Sequence, residues 1–189
     1  MAKPFKSERA AQQQRLISDS LTALMLEKNY SEITVSTLCA HAGIPRRTFY
    51  YYFESIEEVL DHLLEVLLNE CNLETMFFPG SEKEKLEEGF ARFFRYWQQV
   101  RRRELEALLR NDMGPELITH CLKWIRMEYS WDQLIDHHPH EIRTVGSLMG
   151  TTCVFYTLYV WFDGGCLQSP EQMAAYVTQL LTSPIYKAE

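Results

Sequence analysis

The chain has 189 residues, 46% hydrophobic and 24% charged, with only 8 glycines and 7 prolines. That suits one sizeable domain or a small one joined to a larger one, and excludes a low-complexity or disordered chain. The five cysteines (Cys39, Cys71, Cys121, Cys153, Cys166) form no CxxC pair. This excludes a disulfide framework and leaves reduced cysteines packed as small hydrophobes in a cytoplasmic protein.

The N-terminus mixes Lys3, Lys6 and Arg9 with Glu8 and lacks an apolar core segment, so no signal peptide is expected. From about Glu8 to Lys28, Ile17, Leu21, Leu24 and Met25 form one apolar stripe at helical spacing, and Asn29 is placed to cap that helix in the left-handed conformation. Thr34 can cap a short second helix whose inward residues are Val35, Leu38, Cys39 and Ala42. Gly43 ends it, and Pro45, at a first helical position, opens a third helix to about Phe53. Capping-box spacing marks later helix starts at Ser55 with Glu58, Ser81 with Glu84 and Ser169 with Gln172. The fourth helix is expected from Ser55 to about Thr75, and Gly114-Pro115 starts another. Leu86, Phe90, Phe93, Phe94 and Trp97 repeat as an apolar stripe of helical period. With no strand alternation, the architecture reads as all-α: three short helices and about six more.

The segment Thr144–Phe162 carries no charge and holds Gly146 and Gly150 at GxxxG spacing. A membrane span is the weaker reading, because Ser147, Thr151, Thr152 and Thr157 interrupt it and no second span or basic cluster accompanies it. A helix that is apolar all round also suits one face on the core and one on a partner subunit. With Met173, Val177, Leu180 and Leu181 after Ser169, it is expected to form a homodimer interface.

The stretch Thr34–Phe53 carries the chemistry. Leu38, Cys39, Ile44, Phe49 and Phe53 can share a core across a glycine turn, leaving Arg46, Arg47, Thr48, Tyr50, Tyr51 and Tyr52 outward. Donors near the start of an outward helix are what recognition in the DNA major groove needs. The charge agrees. Residues 1–53 hold seven basic and four acidic side chains, a net of +3, whereas the remainder holds twelve and twenty-two, a net of −10. Such a chain presents a phosphate-seeking head on a body that repels DNA.

From Ile17 to Leu60 the chain resembles the DNA-binding domain of the tetracycline-repressor-like (TetR) family. The resemblance rests on Tyr30, Thr34-Val35, Leu38, Ala42-Gly43-Ile44, Thr48-Phe49-Tyr50, Phe53 and the capped helix at Ser55. Further on, Trp161-Phe162-Asp163-Gly164-Gly165 before Ser169-Pro170-Glu171 resembles the junction of the family's last two helices. By position, the resemblance implies base or phosphate contacts from Arg46, Arg47, Thr48, Tyr50 and Tyr51, with Thr34 or Ser36 near the phosphate backbone. The chain departs from the family pattern at Pro45, where a capping serine is usual, at Tyr52, where a histidine is common, and at Ile56, where a lysine is frequent.

Other constellations are weaker. His137-His138-Pro139-His140 reads as a polar loop rather than a metal site, Arg101-Arg102-Arg103 as a solvated helix end, and Phe77-Phe78-Pro79-Gly80 as a loop. There is no Gly-rich phosphate loop, GxSxG or HExxH, so neither catalysis nor a cofactor is expected. The expected organisation is a helix-turn-helix domain over residues 1–53 and a helical dimerisation and ligand-sensing domain over residues 54–189. In the latter, Phe93, Trp97, Trp124, Tyr156 and Tyr159 recur at helical spacing and could wall a pocket for an apolar or aromatic small molecule. The expected function is a cytoplasmic transcriptional repressor, a homodimer on a pseudo-palindromic double-stranded operator, released by that ligand and without membrane contact. Two other readings stay open: a regulator with no small-molecule inducer, and a helical enzyme or binding protein with an incidental helix-turn-helix.

Overall fold

The computed structural model of the chain describes residues 8–71, 83–128 and 140–182, and their regular structure is entirely helical. The first four helices are α1 (Glu8–Glu27), α2 (Val35–Ala42), α3 (Arg46–Tyr52) and α4 (Ile56–Cys71), with a short 3₁₀ turn at Tyr30–Glu32. There follow α5 (Lys83–Arg95), α6 (Arg102–Arg110), α7 (Gly114–Glu128), α8 (His140–Asp163) and α9 (Pro170–Thr182). Ser81 and the segments 77–80 and 137–139 lie outside the described residues.

The chain divides into two compact units. One runs to Leu67 and takes in Arg103–Met113; the other comprises Leu68–Arg102 and the chain from Gly114. The expected division after residue 53 therefore falls inside the first unit, which also recruits α6 from far along the chain.

In the first unit α1 packs on α2 and α3, and α2 packs on α3. Ile17, Leu21 and Met25 of α1 are completely buried, as are Leu38 and Phe49. Each such side chain contributes about 1.5–3 kcal/mol by leaving water. Leu105, Ala107 and Leu108 of α6 are buried as well. Asn29 does not take the expected left-handed conformation; it is extended at φ −65° and ψ 141° and leads into the 3₁₀ turn. The end of α1 is satisfied from elsewhere. Asn111, just past α6, donates from Nδ2 to the carbonyls of Met25 and Ala107, each at 2.8 Å, and its Oδ1 accepts from the N–H of Tyr30 at 2.6 Å. Arg110 donates to the carbonyl of Leu26. The last carbonyls of a helix lack intrahelical partners, and a side-chain amide brought in by tertiary packing supplies what Asn29 does not.

In the second unit α5 packs along α9 and α7 along α8. The expected aromatic stripe forms its core: Phe90, Phe93, Phe94 and Trp97 are buried. Phe93 meets Phe155 edge-on at 5.3 Å, and Phe94 meets Trp161 at 5.2 Å. Beyond Arg95 the helix widens into one π-type turn at Tyr96–Val100, closed by the N–H of Arg101 on the carbonyl of Tyr96 at 2.9 Å. The capping box at Ser169 forms in both directions: Ser169 N–H to Gln172 Oε1 at 2.9 Å, and Gln172 N–H to Ser169 Oγ at 3.2 Å. The arginine run is not simply solvated. Arg101 Nε bonds Glu70 at 3.0 Å, and the Arg102 guanidinium lies 5.1 Å over the Phe162 ring.

Not all cysteines are packed as expected: Cys39 and Cys121 are buried, Cys71 and Cys166 half-buried, and Cys153 exposed. Within the described residues no helix is long and apolar enough to cross a membrane, and no cluster of three potential metal ligands occurs.

Candidate DNA-binding interface

Local rules build the helix-turn-helix. Thr34 is extended, and its Oγ1 accepts the N–H of Thr37 at 3.2 Å while Thr37 Oγ1 accepts the N–H of Thr34 at 2.9 Å. Two of the free N–H groups at the entry to α2 are thus paired. At the exit Gly43 is left-handed, with φ 64°. Its N–H bonds the carbonyl of Ala40, and the N–H of Ile44 bonds that of Cys39 at 3.0 Å. Such a closure favours glycine because a Cβ opposes positive φ. Pro45 caps α3 from outside rather than occupying its first turn: it is extended, with ψ 148°, and α3 begins at Arg46.

On α3 the buried residue is Phe49, which packs against Phe53 with ring centroids 6.1 Å apart. Phe53 in turn lies 5.6 Å from the ring of His62 on α4. With Phe49 inward, helical geometry turns Arg47 and Tyr51 directly outward, about 160° from it, with Tyr50 about 100° and Arg46 about 60° round one side. Tyr50 and Tyr51 are 55% and 68% exposed, high values for aromatic rings, and both arginines are exposed. Thr48 and Tyr52 are half-buried, Tyr52 meeting Tyr51 edge-on at 4.9 Å. Ser36 is exposed on α2 and accepts a hydrogen bond from Arg46. Thr34 is exposed too, with its hydroxyl engaged in the α2 cap. The eight positions singled out by sequence therefore split: Ser36, Arg46, Arg47, Tyr50 and Tyr51 form an open surface, while Thr34, Thr48 and Tyr52 are partly spent on the scaffold.

The candidate ligand residues are less united. Phe93 and Trp97 are buried together, rings 6.4 Å apart. Tyr156 is 62% exposed and stacks on Tyr159 at 6.0 Å, so it does not join them. The reason is geometric: Phe155 points inward to Phe93, and the next residue on a helix turns about 100° away. Tyr159 lies against Gly114, 3.5 Å from where a Cβ would stand. The Trp124 side chain lies outside the described residues. Thr151, which the sequence did not mark as a ligand contact, has its Oγ1 fully buried with no hydrogen-bond partner among the described residues. Burial pushes the Cys71 and Cys121 thiols far up, with the Trp97 indole opposing the effect at Cys71. Such burial disfavours the thiolate, the nucleophilic form. Of the α9 residues expected at a homodimer interface, Met173 and Val177 are buried within the chain, whereas Leu180 and Leu181 are about half exposed.

Such a fold, with a capped helix-turn-helix exposing arginine and tyrosine, defines a helical DNA-binding regulator. Residues 17–63 match the family of bacterial regulatory proteins, tetR family. A TetR transcriptional regulator from Streptococcus agalactiae has the same fold at 20% identity and TM-score 0.64, covering 92% of this chain and 95% of its own. A TetR-family regulator from Syntrophomonas wolfei aligns at 16% identity and TM-score 0.69, covering 95% and 99%. The fatty acid degradation regulator FadR from Bacillus halodurans aligns at 17% identity and TM-score 0.59, covering 96% and 98%. No curated protein sequence matches the chain. Residues 17–63 thus carry the DNA-binding domain of the tetR family, and the chain as a whole shares the fold of these TetR-family regulators.

Proposed function

We propose that the protein is a homodimeric repressor that binds a pseudo-palindromic operator through α3 and is released by a small apolar ligand held in its second unit. The observation that carries the DNA assignment is the outward face of α3, where Arg46, Arg47, Tyr50 and Tyr51 are exposed on a helix anchored by buried Phe49. A two-fold dimer presents two such heads, so the operator has two-fold symmetry.

Dimerisation is supported by the apolar side chains left in water: Val145, Leu148, Met149, Tyr156 and Val160 on α8, and Tyr176, Leu180 and Leu181 on α9. Gly150 lies on α8 with open space where a Cβ would stand, room for close approach by a second copy. Ligand sensing is supported by the Phe93–Trp97–Phe155 cluster with Thr151 one helical turn before Phe155. A buried hydroxyl without a partner is costly, and a ligand oxygen or nitrogen would satisfy it. The favoured ligand is thus an uncharged apolar molecule with one hydrogen-bonding group. To release DNA it must bind the non-operator conformation more tightly, and operator must weaken ligand binding by the same factor.

Binding selection from genomic fragments with the full chain tests the DNA assignment, and enrichment of a symmetric site is expected. Selection that enriches no symmetric sequence, or a chain that sediments as a monomer at micromolar concentration while binding DNA, overturns the dimeric-operator reading. A thermal-shift screen of apolar compounds, repeated with saturating operator, tests the ligand. Stabilisation indifferent to operator removes the release mechanism.

A further inference from the structure

Arg46 and Arg47 are neighbours, and both are exposed, but the fold treats them differently. Arg46 donates a guanidinium N–H to Ser36 Oγ on α2. Its charge also acts on Cys39, one turn along α2, where it opposes the upward push of burial on the thiol. Ser36 and Cys39 stand at i, i+3, so the guanidinium lies along one edge of α2. Among the described residues no hydrogen bond or ion pair holds Arg47.

Position on α3 points the same way. With about 100° between successive residues and Phe49 inward, Arg47 and Tyr51, each about 160° from Phe49, occupy the middle of the outward face. Tyr50 lies about 100° from Phe49 on one flank, and Arg46, only about 60° from it on the same side, stands at the edge tied to Ser36. Reading guanine needs a guanidinium fork free to present two parallel N–H groups to O6 and N7 in the plane of the base. Arg46 has part of its fork engaged on the neighbouring helix. Its remaining N–H groups, and the hydroxyl hydrogen of Ser36 left free by accepting, can converge on one phosphodiester oxygen.

We infer that Ser36 and Arg46 form a phosphate-anchoring pair that sets the register of the helix on the DNA backbone, and that Arg47 is the arginine that reads a base edge. This deepens the DNA reading above and rests on it. Ser36 acts as a positioning residue: it orients Arg46 as well as offering its own donor. Phosphate contacts set affinity without sequence information, whereas base contacts set preference.

The experiment is a binding selection over a randomised operator library with the full-length wild type, Ser36→Ala, Ser36→Thr, Arg46→Ala and Arg47→Ala, followed by affinity measurements on the selected site across a salt series. For Arg46→Ala the base preferences should be unchanged, affinity should fall by a similar factor on every site, and the salt slope should drop by about one per head. Ser36→Ala should weaken binding in the same uniform way, and Ser36→Thr, which keeps the hydroxyl, should restore it. Arg47→Ala should flatten preference at one symmetric pair of positions, removing roughly 5- to 150-fold of discrimination. Preference lost in Arg46→Ala, or retained at every position in Arg47→Ala, overturns the division of roles while leaving DNA binding intact. Ser36→Ala with wild-type affinity at every salt concentration overturns the pairing. A wild type that enriches no sequence overturns the DNA reading, and this inference with it.

Discussion

Asn111 is the side chain whose removal should cost the DNA-binding unit most for its size. Its amide makes three hydrogen bonds, to Met25 and Ala107 carbonyls at 2.8 Å and from the Tyr30 N–H at 2.6 Å, all partly buried. A net worth of about 0.5–1.5 kcal/mol each, with partners left partly desolvated, puts Asn111→Ala at about 2–4 kcal/mol of destabilisation. For a chain of this length that is roughly a 5–10 °C fall in melting temperature. Asn111→Asp distinguishes the roles of the amide atoms: a carboxylate still accepts from Tyr30 but cannot donate to two carbonyls and instead repels them. It should be at least as damaging near neutral pH. Urea denaturation gives the magnitude, and amide hydrogen exchange gives the location, with the Tyr30 N–H and the end of α1 losing protection first. Arg110→Ala, which removes only an exposed contact to Leu26, should cost about 0.5 kcal/mol. Asn111→Ala within 0.5 kcal/mol of wild type, with Tyr30 still protected, would refute the clamp.

Gly43→Ala should cost roughly 1 kcal/mol in the same denaturation assay, from positive φ alone, because no atom lies within 4 Å of the added Cβ; an unchanged midpoint would contradict the turn geometry. Thr151→Val should stabilise the second unit by about 1 kcal/mol by removing a buried hydroxyl that has no partner among the described residues. Destabilisation would instead point to a hydrogen bond at that site. The pKa of His62 is lowered by burial, partly offset by Glu65 and Glu58, so the fold favours its neutral form. The contribution of His62 is complete above its unfolded pKa of about 6.5 and is lost as pH falls through the folded value. Replacing His62 with Gln should flatten the pH dependence of stability below pH ~6.5; an unaltered profile would assign that dependence to other groups.

Much of the first unit was legible in sequence because its decisions are local. The Thr34 cap, the Gly43 turn and the stripe Ile17–Met25 each depend on residues no more than a few positions apart, which is the reach of a helical hydrogen bond. Arg47 and Tyr51, opposite Phe49 on α3, followed from Phe49 turning in, whereas Thr48 and Tyr52, also expected outward, are half-buried.

Tertiary structure decided the rest. Nothing near Asn29 says that the end of α1 will be paired by Asn111, 81 and 86 positions beyond its two α1-side partners Tyr30 and Met25. Nor does the local sequence of α6 place it with the DNA-binding unit. In α8 the sequence is apolar around the whole helix, so periodicity cannot say which side turns inward. Packing chose Phe155 for the core and left Tyr156 in water. The unequal fates of Arg46 and Arg47 have the same origin. Two identical side chains became different when the turn at Gly43 brought Ser36 within reach of one of them, because a hydrogen bond between helices exists only after the helices have met.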